Sequence, residues 1–179
     1  MKTVLKSAIL VAAVMVAGCT SSVGIDFDPE YDFSGYRTYR WYEVEPHPGD
    51  TLAANPLARR RVFKAVDRAL AEKGFRLVDG QESDFLVFAH GMVRDRIHVH
   101  DTGGFYLFPG PFAFGGYTDV TRYEETTLFV DVIDPTTRQL IWRGSRTDVV
   151  KSYKDPEKAQ AATDKAVRRI LKDFPPGWD

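Results

Sequence analysis

His98 and His100, with Asp101 directly after them, are the strongest metal-binding candidates in the chain. Alternate residues of a strand share a side, so both imidazoles could reach one divalent ion and the carboxylate could complete the set. The same spacing continues Arg94 and Arg96, and a closed zinc site needs more ligands than these. A solvated strand face is therefore the plainer explanation. His90 lies further back, and His47 sits between two prolines in a loop. Hydrolysis by a nucleophile would call for a serine or cysteine on a sharp turn, and no Gly-x-Ser-x-Gly elbow occurs. Gly103-Gly104 and Gly115-Gly116 do not form a phosphate cradle leading into a helix. Glu124 and Glu125 are adjacent, so on a regular strand they face opposite ways and cannot flank one substrate bond. No catalytic set emerges and no motif asks for a cofactor. The expectation is a protein that is not an enzyme. The alternative is a metal-dependent enzyme using His98, His100 and Asp101.

A second kind of chemistry is contact. Between Gly103 and Tyr117, the rings of Phe105, Tyr106, Phe108, Phe112, Phe114 and Tyr117 alternate with glycines and prolines that forbid regular structure. A loop this apolar is either buried or bound. If exposed, it marks a contact with a protein, a glycan or a lipid. If self-packed, it closes over an open sheet edge and hides unpaired strand groups.

The amino terminus speaks to location. Lys2 and Lys6 precede an uncharged run from Ala8 to Gly18, the pattern of a secretory signal peptide. The run is well short of the about 20 apolar residues needed to span a bilayer. Val16-Ala17-Gly18-Cys19 resembles the lipobox of bacterial lipoproteins, which implies cleavage after Gly18 and acylation of Cys19. Each buried methylene of such an anchor contributes about 0.8 kcal/mol, and more than one acyl chain holds stably. Thr20, rather than an acidic residue, follows the cysteine, so the resemblance implies the outer membrane, with the domain facing the periplasm.

Removing 18 of 179 residues leaves 161, a length suited to one domain with its own core. Lys2 and Lys6 leave with the signal, so 22 of the 24 basic residues face 25 acidic ones, a formal charge of −3. The densest basic cluster, Arg59-Arg60-Arg61, shares a helix with Asp67 and Glu72, so nucleic acid is not an expected partner. Cys19 is the sole cysteine, which excludes an internal disulfide and leaves stability to packing.

Positioning falls to a short series of elements. Residues 19–35 read as the lipidated cysteine and a tether, and residues 36–179 as a single domain. Tyr36–Tyr42 is rich in aromatic and β-branched residues, a strand pattern. Asn55-Pro56 starts a helix that Gly74 ends, with Leu57, Val62, Phe63, Val66, Ala69 and Leu70 on one stripe. Phe75–Val78 is a short strand. From Phe85 a long strand is apolar on both sides at first and on one side later. Val120–Ile133 and Leu140–Arg143 form an antiparallel hairpin across Asp134-Pro135-Thr136-Thr137. Asp155-Pro156 opens a last helix, with Ala159, Ala162, Ala166, Val167, Ile170, Leu171 and Phe174 at helical spacing up to Pro175-Pro176. The order β-α-β-β-β-β-α predicts an α+β two-layer sandwich: a mostly antiparallel sheet with two amphipathic helices on one face. Trp142 and Phe174 are expected in its core.

Several stretches together carry a family resemblance. They are Tyr39-Arg40-Trp41, Asp84-Phe85-Leu86-Val87 on to His90, Leu128 to Asp134, Leu140-Ile141-Trp142-Arg143-Gly144, and Phe174-Pro175-Pro176. In these the chain resembles an uncharacterised bacterial lipoprotein family, domain-of-unknown-function family 4136, over nearly the whole mature part. Thr126-Thr127-Leu128 stands where that family often has Gly-Thr-Leu. The resemblance implies no enzyme activity. With the anchor and the aromatic loop, it gives the expectation of a non-catalytic envelope module that binds a protein, glycan or lipid.

Overall fold

Strand alternation governs the largest feature of the molecule. In a computed structural model, which describes residues 23–80, 82–101, 118–149 and 153–177 (backbone alone at 95–101, 118–124 and 149), two long strands run side by side. Strands β4 (Phe85–Asp101) and β5 (Thr118–Ile133) pair antiparallel from Leu86 with Ile133 out to Asp101 with Thr118. The turn after β5 forms as its residues dictate. Asp134 accepts hydrogen bonds from the backbone N–H of Thr136 and from the Thr137 hydroxyl, both at 2.9 Å, returning the chain as β6 (Leu140–Val149).

Three shorter strands complete a six-stranded sheet in the order β1-β6-β5-β4-β2-β3. Strands β2 (Thr38–Trp41) and β3 (Arg76–Leu77) lie beyond β4, with β2 parallel to both of its neighbours. The Asp84 carboxylate fixes that junction by accepting from the backbone N–H of Arg37 at 2.9 Å and of Thr38 at 2.7 Å. Desolvation pushes its carboxyl up, but a bond from the Thr38 hydroxyl at 2.7 Å, those two backbone bonds and the charge of Arg37 outweigh it and hold the group below the ordinary range.

The fold begins earlier than the sequence suggests. Val23–Phe27 is an edge strand, β1, paired antiparallel with β6 from Val23↔Arg146 to Phe27↔Trp142, and not part of a tether reaching to residue 35. Phe33, in the same segment, is buried against Phe174 with ring centroids 6.2 Å apart. The β6 edge needs a partner for its backbone groups, and β1 supplies it. From Tyr36 onward the expected order of elements stands.

Helix α1 (Pro56–Glu72) starts where the Asn55 side chain accepts from the Ala58 N–H, and helix α2 (Pro156–Ile170) where Asp155 accepts from Glu157. Both caps satisfy amides that the first turn leaves free. Gly74, at φ +88°, turns the chain after α1. Helix α2 ends at Ile170, short of the expected Phe174; Leu171 and Phe174 are buried in the non-helical turns that follow. Leu57 stays exposed: in the first turn it falls off the stripe formed by Val62, Val66, Ala69 and Leu70.

The two helices contact one another and share one face of the sheet, giving the two-layer α+β sandwich. Val87, Val132 and Trp142 lie in register across three strands and meet Val66, Leu70, Val167 and Ile170 in a single core. Trp142, Phe85 and Phe174 are essentially inaccessible, and burying a large apolar side chain stabilises by roughly 1.5–3 kcal/mol. Ion pairs tie the helices on their outer side: Arg68 to Asp164 at 2.8 Å and Arg168 to Glu72 at 2.7 Å. Helix α1 is tied to β2 through Asp67, which accepts from the Tyr39 hydroxyl at 2.8 Å and the Trp41 indole at 3.1 Å. Burial, then that hydrogen bond and the charge of Asp67, push the Tyr39 phenol well above its ordinary range.

Candidate functional site

The sheet outruns the core. Past Gly91, Leu128 and Arg146 the three central strands continue through Val93, Thr126 and Asp148, and the helix residues lining the space opposite them include the small Ala58 on α1 and Ala159, Ala162 and Ala166 on α2. Alanines facing a sheet across an interhelical gap cannot fill it. A cleft of about 630 Å³ results, within the range of small-molecule sites. Its far wall is the loop before α1. There Asp50 accepts from the N–H groups of Gly91 and Leu52, both at 2.9 Å, and Thr51 donates to the Gly91 carbonyl at 3.0 Å. Gly91 permits this approach, since a Cβ there would stand 2.7 Å from the Thr51 hydroxyl.

Arg146, on β6, is among the polar residues that line this cleft. Its side chain is only 10% accessible; Nε donates to Asp148 at 2.6 Å, while Nη1 is buried with no hydrogen-bond partner among the described residues. An unpaired buried donor of this kind costs roughly 1–3 kcal/mol or more when charged. Arg61, Lys165 and Arg169 line the same cleft, so four basic side chains face the single carboxylate of Asp148.

A second polar cluster occupies the other sheet face. Asp131 is 4% exposed, and Arg143 on the next strand grips it with two bonds of 2.7 Å, from Nε and Nη2. His90 Nε2 lies 3.4 Å from the same carboxylate, and its ring stacks on Phe129 at 4.7 Å and on Phe88 at 5.4 Å. Burial raises the Asp131 carboxyl, but hydrogen bonds from Arg143 and His90, and their charges, outweigh it and hold the group below its ordinary range. An Arg–Asp fork closed by packed rings is a structural pair. Both carboxylate oxygens of Asp131 are taken up by the Arg143 fork.

Of the residues singled out by sequence, His98, His100 and Asp101 are placed on β4 by backbone register, opposite Thr121, Asp119 and Thr118, while their side chains lie outside the described residues. The aromatic candidates Phe105, Tyr106, Phe108, Phe112, Phe114 and Tyr117, and Cys19 itself, also lie outside them. Among the described residues no cluster of three or more metal-ligating side chains forms. Sequence reading missed Arg146, which lies within β6 and carries no local mark in the sequence. It also missed the pairing of Asp131 with Arg143, whose signal was one charge inside each of two apolar runs. Trp142 and Phe174 are core residues, as expected.

Comparison with known proteins bears on the fold. A PDZ domain protein from Parabacteroides distasonis ATCC 8503 superposes with a TM-score of 0.55 at 10% identity, over 87% of this chain. The chain spans 36% of the length of that protein. The PelC dodecamer from Paraburkholderia phytofirmans has a TM-score of 0.45 at 10% identity, covering 85% of this chain and 95% of that one. No curated protein matches the chain by sequence. A family model described as a domain of unknown function, DUF4136, matches residues 23–176, and the chain belongs to that family.

Proposed function

We propose that this protein is a non-catalytic binding module, held by acyl chains on Cys19 at the periplasmic face of the outer membrane. The observation that carries the binding part is the cleft: apolar walls, a cationic lining, and a buried guanidinium with a donor to spare. A buried polar group whose needs the protein itself leaves unmet calls for a partner such as a water, an ion or a ligand.

An anchor on Cys19 would hold the domain close to the bilayer. Val23, the first residue of β1, stands four residues after Cys19, so an anchored chain gives a leash of at most about 14 Å. Strand β1 carries Ile25 and Phe27, 38% and 42% exposed, at the edge nearest that leash. No helix among the described residues is long and apolar enough to cross a membrane.

Fractionation of cells producing the chain tests this reading. The unaltered protein should sediment with membranes and be released by detergent but not by salt. Cys19→Ser should remain unprocessed and lose its acyl modification. If the unaltered protein is recovered in the soluble fraction, the anchor is wrong.

A further inference from the structure

We infer that the cleft between the two helices and the outer part of the sheet takes a single anionic amphiphile, its acidic head on Arg146 and its aliphatic chain along Leu52, Val62, Leu128 and the alanine face of α2. The inference rests on the binding-module reading and deepens it by naming the class of ligand. Three observations carry it. First, Arg146 is nine-tenths buried at the cleft, and one of its guanidinium nitrogens has no partner among the described residues. A guanidinium presents its donors as a fork, suited to a carboxylate or a phosphate, and only the Nε edge is occupied, by Asp148.

Second, much of the lining between the polar groups is aliphatic. Leu52, Val62, Val93, Leu128, Ala159, Ala162 and Ala166 offer a chain-like body somewhere to lie, which a free inorganic anion would not need. Third, Arg61, Lys165 and Arg169 line the same space, and none of them makes an ion pair among the described residues. On a chain that carries more acidic than basic residues, this local excess of positive charge selects an anionic ligand and disfavours a neutral one. The cleft also lies beside the edge strand that leads back toward Cys19, since Arg146 pairs with Val23 in the sheet.

The test uses the full chain and a fluorescent fatty acid, dansyl-undecanoic acid, with its methyl ester as the uncharged control. The acid should bind saturably and the ester about tenfold or more weakly. Arg146→Met should weaken the acid by about the same factor and leave the ester unchanged, whereas Arg146→Lys should recover part of the loss. Ala162→Trp should block both probes. Displacement by lysophosphatidylglycerol as well as by unlabelled fatty acid assigns the ligand to anionic lipids generally; displacement by the fatty acid alone assigns it to free acids. Equal binding of acid and ester, or an Arg146→Met chain of native circular dichroism with unchanged affinity for the acid, overturns the inference. So does displacement by inorganic phosphate at similar concentration, or binding that develops only after residues 103–116 are removed, which would make the chain's own segment the occupant. A chain that binds the acid but lacks an acyl group on Cys19 would sink the anchor and spare the cleft; a lipidated chain that ignores the acid would do the reverse.

Discussion

Asp131 shows how far a single residue can be understood from its neighbours. One carboxylate inside Leu128-Phe129-Val130-Asp131-Val132-Ile133 is a warning in the sequence, because a buried charge must be paired. Its partner becomes evident only when the hairpin register sets Asp131 against Arg143. Asp131→Asn should cost about 1–2 kcal/mol in urea unfolding at neutral pH, a figure kept modest because Arg143 is partly exposed. The pH dependence follows from the lowered pKa of Asp131. Its contribution is complete above the ordinary carboxylate value of 3.8 and is lost as pH falls through the still lower folded value. Unfolding curves from pH 7 down to about pH 2.5 should show the native chain losing stability more steeply than Asp131→Asn at the acid end. Arg146 is the contrary case. Nothing in its local sequence marks it, since burial without a partner is a property of the surroundings and not of the residue. His98, His100 and Asp101 had the more suggestive spacing, yet spacing alone does not supply a closed ligand set.

At the scale of elements, legibility tracked local chemistry. Asn55-Pro56 and Asp155-Pro156 declared both helix starts because capping is a matter of adjacent residues. Asn55→Ala should lower stability by about 1 kcal/mol, measured by thermal or urea unfolding. The far end of α2 was less readable, since apolar spacing at Leu171 and Phe174 persists after the backbone has left the helix. Strand β1 was missed although Val23, Ile25 and Phe27 alternate. Gly24 and Asp26 between them are poor strand formers, and the reason for the strand is the open edge of β6, far away in sequence. Two substitutions test the packing that results. Phe33→Ala, in the stretch first read as tether, should cost about 3–5 kcal/mol, as for a core ring and unlike a linker residue. Gly144→Ala should cost about 1–3 kcal/mol, because a Cβ there would lie 2.4 Å from the Trp142 ring and 2.6 Å from Ile170. Equilibrium unfolding measures both, and near-neutral values would contradict the core described here.

The whole molecule is a two-layer α+β domain whose sheet is longer than the helices that cover it, and that mismatch opens the cleft. The layering was legible because stripes of period 3.6 and alternation of period 2 must bury their apolar sides against each other. The cleft was not, because it depends on which alanines face which part of the sheet. Starting the fold at Val23 also shortens the proposed tether: a domain anchored at Cys19 would ride close to the bilayer, with the Arg146 end of the sheet beside the first strand. The central claim is that acyl groups on one cysteine keep this folded domain at a bilayer. Intact mass spectrometry of the mature polypeptide from its native host tests it most directly. The account predicts a chain beginning at Cys19 and heavier than its sequence by a diacylglyceryl group and an amide-linked acyl chain; a different first residue, or a mass with no fatty acid, would contradict it.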